Sequence, residues 1–153
     1  MHVTITQASY NTLCAHAAET YPNECCGIIV HREGREEVVR VTNVQDALHA
    51  QDPGQYPRTA TTAYTMGPEA APILLDAERG LLTVYAFYHS HPEHDAYFSE
   101  EDRFQAKGGW DEPLYPDAGQ IVVSVRQGVV VAAKSFRWCA DTEDFVDAEL
   151  VRE

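Results

Sequence analysis

The sequence predicts a mixed α/β (α+β) fold: a mostly antiparallel sheet flanked by helices. Three observations carry that expectation. Three helix-like segments are interleaved with strand pairs, two of those pairs turn at a glycine, and one strongly apolar run reads as a buried strand. With 153 residues, 44% of them hydrophobic, the chain has enough material for one domain with a sizeable core and too little for two. A single domain spanning 1–153 is therefore expected.

The elements follow in order. Thr6 is a fitting N-cap for QASYNTLCAHAAETY, where Tyr10, Leu13, Cys14, Ala17 and Tyr21 fall at helical spacing and Pro22 ends the run. CCGIIV is a short apolar strand, HREGRE carries a turn glycine, and EVVRVTNV returns as the second arm of a hairpin. From Asp46 to about Thr65 the chain is polar and holds Pro53, Gly54 and Pro57, which predicts a long loop. PEAAPILLDAERG is a second helix stopping at Gly80. LLTVYAFYHSH is a strand buried on both faces until it reaches its histidines, and Pro92 ends its ladder. SEEDRFQAKGG is a third helix, capped at Ser99 and closed by two glycines. QIVVSVR and VVVAAKSFRW pair around Gly128, and DFVDAELVR alternates as a last strand, with a short helix as the alternative.

Composition narrows the function. Acidic residues outnumber basic ones 24 to 11, a formal charge of −13 that repels phosphate backbones and argues against nucleic acid as a partner. No apolar run reaches the roughly 18–20 residues a bilayer span needs, and MHVTITQASY lacks the features of a signal peptide. A cytoplasmic protein with no membrane partner is expected. Cys14, Cys25, Cys26 and Cys139 form no C-x-x-C pair, so no disulfide framework is indicated. Cys25 and Cys26 read as small buried side chains at a strand start, with a soft-ligand role beside a metal as the alternative.

The chemistry concentrates in YHSHPEHDAYFSEEDRF. His89 and His91, two apart at a strand end, point to one face. Ser99 and Asp102, three apart at a helix start, occupy neighbouring sites on that helix. If the helix turns back toward the strand end, two imidazoles and one carboxylate converge, and with a fourth position left for water they form a catalytic zinc set. H-x-H alone is weak, expected by chance in roughly a third of chains this rich in histidine. Requiring the serine and aspartate at their offsets lowers that to on the order of one in a thousand, which makes the full pattern specific. Each part also has a plainer reading. Ser99 through Asp102 is a capping box by itself, His89 and His91 could be a satisfied strand-end pair, and Glu24 could be a solvated carboxylate after a helix. His2, His16, His31, His49 and His94 read as surface or helix residues.

H-S-H-P, six residues, then S-x-x-D resembles the signature of the JAMM (MPN-plus) zinc metalloproteases, and it matches without gap. Pro22-Asn23-Glu24-Cys25-Cys26-Gly27, followed by the strand IIV, resembles that family's upstream glutamate block. The resemblance runs from about Thr4 to Trp138 and looks closest to the stand-alone prokaryotic members. It implies an MPN-type sheet related to the cytidine-deaminase architecture. It further implies His89, His91 and Asp102 as ligands of one Zn2+ with a catalytic water, Glu24 as general base, and Ser99 as the side chain that steadies the reacting oxygen. Glu19 and Glu93 are the other carboxylates that could be proposed as base, but neither matches the pattern. The implied reaction is hydrolysis after the C-terminal Gly-Gly tail of a ubiquitin-like or sulfur-carrier protein of β-grasp fold. Such a tail could add as a strand at a sheet edge. The 46–65 loop is then either a grip for it or a surface excursion. A zinc deaminase is disfavoured, because H-x-E with P-C-x-x-C is absent. The non-enzymatic alternative is a zinc-holding but catalytically silent protein-binding module.

Overall fold

A computed structural model describes residues 1–153. The chain opens with a short strand, β1 (His2–Ile5), and helix α1 (Gln7–Thr20) follows. The Thr6 hydroxyl caps α1 by accepting the Ser9 N–H at 3.0 Å, and the helix buries Ser9, Leu13 and Ala17. β2 (Cys26–Arg32) and β3 (Arg35–Val41) form the expected hairpin. Its turn uses Glu33 and Gly34 at φ 51 and 74, the left-handed pair that matches the strands' twist. After α2 (Gln45–Gln51) and α3 (Ala70–Glu78) comes β4 (Thr83–Pro92), then α4 (Glu100–Lys107). The last three strands are β5 (Gly119–Arg126), β6 (Val129–Cys139) and β7 (Asp144–Arg152).

All seven strands lie in one sheet, in the order β1-β7-β6-β5-β4-β2-β3. β4 is central, antiparallel to β2 and parallel to β5. A parallel pair needs a crossover rather than a tight turn, and here α4 lies on that crossover. Each face of the sheet carries apolar side chains. On one face, Leu13 and Ala17 of α1 pack with Val3, Ile5, Ile29, Tyr88, Ile121 and Val123. Gly27 lies directly under Tyr88, and a Cβ there would sit 2.3 Å from the ring. The other face holds two clusters. One joins Cys26, Ile28, Val30 and Val41 to Ala70 of α3, and the other joins Phe98 to Val122, Phe136 and Phe145. His89 sits opposite Cys26 on one side and Val122 on the other, at the seam between the two.

The mostly antiparallel mixed sheet flanked by helices is as the sequence implied, with three differences. β1 was not foreseen. Its four residues are too few to show an alternation, and pairing with β7 (His2 opposite Glu149) is what makes them a strand. The expected 46–65 loop overlaps α2, a seven-residue helix with no side-chain cap and hence no start signal in the sequence. β4 is most buried at its histidine end, where residues 88–92 are all buried and Thr83 is exposed, the reverse of the expected trend. Pro92 still sits opposite Val125, and the chain leaves the sheet at Glu93, whose φ is 63.

Candidate metal centre

His89 and His91 sit two apart on β4, so both rings project from the same side of the sheet. α4 turns back toward them because Ser99 starts it there. The Ser99 hydroxyl accepts the Asp102 N–H at 3.0 Å, and the Asp102 carboxylate accepts the Ser99 N–H at 3.0 Å. This capping box is the plainer reading, and it is correct. It also aims Asp102 at the histidines. His89 Nε2 lies 3.1 Å from Asp102 Oδ1, His91 Nε2 lies 3.2 Å from Oδ2, and the two Nε2 atoms are 3.1 Å apart.

These separations suit a metal ion. Donors held about 2.0 Å from a tetrahedral centre stand about 3.3 Å from one another, close to the triangle found here. Nitrogen atoms of two imidazoles facing at 3.1 Å can share at most one proton, so a cation is the natural partner for both lone pairs. His91 Nδ1 lies 2.9 Å from the Asp95 carbonyl oxygen. It donates there, which leaves Nε2 free to ligate. Tyr64 packs at a tilt against His89, with ring centroids 4.7 Å apart, and Tyr97 meets His91 edge-on with centroids 5.2 Å apart. All three candidate ligand residues are buried.

The electrostatics agree. Burial by itself would raise the Asp102 pKa, but the two histidines hold the carboxyl well below the usual range. Burial works against a charge on His91, yet the Asp102 carboxylate outweighs it and raises that pKa. Glu24 lines the same cavity of about 410 Å³ as His91, Ser99 and Asp102. Burial pushes its carboxyl up to about 8, against a smaller opposing effect of His91. A cation at the three ligands would favour the ionised form.

Glu24 is held by its backbone. Its N–H donates to Ala60 O at 2.8 Å, and its carbonyl accepts from Asn43 Nδ2 at 2.9 Å. The following residue is tied to β4, with Cys25 N–H donating to Ser90 Oγ at 2.8 Å and Ser90 N–H donating to Cys25 O at 3.1 Å. The structure therefore brings Glu24, His89, His91, Ser99 and Asp102 to one place. Glu19 instead pairs with Arg40 at 2.6 Å. Glu93 accepts from Tyr21 Oη and Gln127 N–H at 2.7 and 2.6 Å. Cys25 and Cys26 are buried, and Cys26 Sγ faces Val41 O at 3.6 Å. His94 is exposed at the cavity rim, and His16 is half-buried against Tyr88 Oη at 2.7 Å.

Ser90, Asn43, Tyr64 and Arg58 were not singled out from the sequence. Ser90 alone had a signal: between two histidines on one face, it has to point to the other. Asn43, Arg58 and Tyr64 lie in or beside the polar stretch, where no spacing rule applies. The 46–65 segment itself is no free excursion. Asn43 Oδ1 accepts the Gln45 and Thr65 N–H groups at 3.0 and 3.1 Å, and Asn43 Nδ2 reaches Ala63 O at 3.1 Å. Asp46 accepts the Ala60 N–H at 2.7 Å. No helix is long and apolar enough to cross a membrane.

Comparison with known proteins follows the same lines. A solution structure of a protein from Desulfitobacterium hafniense superposes with a TM-score of 0.67 at 22% identity, covering 98% of this chain and 92% of that one. One from Salinibacter ruber gives 0.60 at 25% identity, covering 100% and 92%. A crystal structure of a JAB1/MPN domain protein from Archaeoglobus fulgidus gives 0.51 at 15%, covering 99% of each. No curated protein matches the sequence. The family described as prokaryotic homologues of the JAB domain matches residues 6–139. The chain is a member of this JAB/MPN family.

Proposed function

We propose that the protein is a zinc-dependent metallopeptidase of the cytoplasm that cleaves the amide or isopeptide bond after the Gly-Gly tail of a ubiquitin-like or sulfur-carrier protein. The observation that carries this reading is the convergence of His89 Nε2, His91 Nε2 and the Asp102 carboxylate beside the buried carboxyl of Glu24. Two imidazoles and one carboxylate are a donor set for catalytic zinc. When bound, zinc supplies a Lewis acid for the scissile carbonyl and makes water acidic enough to react at neutral pH.

The chain's own groups do the rest. Glu24 takes a proton from the attacking water and returns it to the leaving amine. The Ser99 hydroxyl accepts from Asp102 N–H, so its own hydrogen is available to donate to the developing oxyanion. The Asp95 carbonyl holds the His91 ring in its ligating tautomer. Specificity for the Gly-Gly tail rests on the resemblance of the two motif blocks.

The test is cleavage of a Gly-Gly-tailed ubiquitin-like fusion by zinc-loaded protein. Cleavage after the second glycine is expected, and it is abolished by chelator. Glu24→Gln keeps one zinc and loses nearly all hydrolysis, while His89→Ala and Asp102→Ala lose the metal too. Ser99→Ala binds zinc and slows turnover by on the order of a hundredfold. One bound zinc with no cleavage of any such fusion would favour a silent binding module instead.

A further inference from the structure

The cavity over the ligands is walled by carboxylates, those of Glu24, Glu100, Glu101 and Asp102, and Arg58 is its one permanent cation. Five of the chain's other eight arginines are paired with a carboxylate. Arg32, Arg35, Arg40, Arg103 and Arg126 each lie within 4.0 Å of a carboxylate. Arg58, like Arg79, Arg137 and Arg152, does not, but it is the one among these four that lines the cavity. Its guanidinium makes one hydrogen bond, from Nη1 to Thr62 O at 3.3 Å. Four of its five N–H donors are therefore left for another partner.

This guanidinium stands on a fixed base. Gln45 Nε2 donates to Arg58 O at 3.0 Å, and two residues on, Ala60 is tied both to Asp46 and to Glu24. The side chain also lines the neighbouring cavity formed by Gln45, Tyr56 and Phe104. It lies, with Ala63, Glu101 and Gln105, on the wall the two cavities share. A protein of net charge −13 repels anions at long range, so an anion bound here is recognised locally, by a planar fork suited to carboxylate.

On the peptidase reading above, we propose that Arg58 binds a carboxylate of the substrate and so selects tails that present one close to the scissile bond. A peptide offers that group in two ways: as the terminal α-carboxylate of a residue just beyond the bond, or as an acidic side chain near the tail. The rival role is electrostatic, with Arg58 favouring ionised Glu24. That role would alter turnover of every substrate alike and would not distinguish an acid from its amide.

Three hexapeptides separate these roles: one ending Gly-Gly-Ala as the free acid, the same peptide as its amide, and an amide with Glu before Gly-Gly. Their affinities are measured by calorimetry on zinc-loaded Glu24→Gln protein, where no turnover intervenes. One of the two carboxylate peptides is expected to bind about tenfold more tightly than the plain amide, and which one identifies the source. Arg58→Gln, in the same background, should abolish the difference, and Arg58→Lys should keep part of it. Equal affinities for all three peptides, including no binding by any, would overturn the proposal. So would a preference that survives Arg58→Gln. Hydrolysis of the more tightly bound carboxylate peptide by wild-type protein is scored separately. Its absence beside an intact acid preference counts against the peptidase reading and leaves Arg58 as a carboxylate site.

Discussion

Glu24 carries opposite consequences for stability and for chemistry. Its pKa in the folded chain, pushed up to about 8 by burial, lies well above that of a solvated glutamate. A raised folded pKa stabilises the protein below the unfolded value, and that contribution is lost as pH rises through the folded one. His91 is also raised and acts in the same direction. Glu24 alone should therefore cost the metal-free protein about 5 kcal/mol of stability between about pH 4.5 and pH 8. His16, whose pKa burial lowers to about 4, acts in the opposite direction below about pH 6.5, so the net loss should fall between about pH 6.5 and pH 8. Urea unfolding at stepped pH, beside Glu24→Gln, checks this. The variant should flatten most of the slope, and an unchanged slope would show that Glu24 ionises freely. Buried and neutral, the carboxyl is the wrong form for the base of the proposed reaction, and a cation bound at His89, His91 and Asp102 would favour its ionised form.

At the level of elements, the segment after β3 shows what a polar stretch can hide. One side chain, Asn43, makes four hydrogen bonds that fasten Gln45, Ala63 and Thr65 to the backbone of Glu24. Asn43→Ala would leave those groups without a partner, at a cost of about 2–4 kcal/mol. Amide exchange is the fitting measurement. The Glu24 N–H, which bonds to Ala60 O, should lose protection, whereas amides of β5 should keep theirs. Loss of protection throughout the sheet would mean that Asn43 supports the whole fold rather than this segment. Such side-chain-to-backbone bonds follow no period, which is why the sequence showed only a loop. The ligands were legible because strand alternation and helix capping are periodic rules. His89 with His91, and Ser99 with Asp102, each obey one, and the match to known motif blocks joined them to Glu24. Arg58 obeys none.

For the molecule as a whole, the candidate ligands come from two separated pieces, β4 and α4, at the seam between two apolar clusters on one face of the sheet. An ion that binds only the folded chain adds stability by mass action, about 2.7 kcal/mol at a free concentration a hundred times its Kd. That should raise the thermal midpoint by about 5–10 °C at pH 7.5. Protons compete for Nε2 of His91, whose pKa is raised above 6.5, so the increment should shrink as pH falls through that value. Scans with and without zinc at pH 7.5 and 5.5 measure it. An increment as large at pH 5.5 would place the ion away from the imidazoles. The sheet order itself was not legible from the sequence, because the β1–β7 and β4–β5 pairings join segments far apart in the chain.

Asp102 holds the first turn of α4 by one carboxylate oxygen's bond to Ser99 N–H, while facing the histidines with both. An amide at that position can still accept the same bond, but it brings no negative charge. One substitution could thus abolish metal binding at this site while leaving the helix start and the sheet intact. Lineages built on this architecture can therefore lose the metal site in a single step, without passing through an unfolded ancestor.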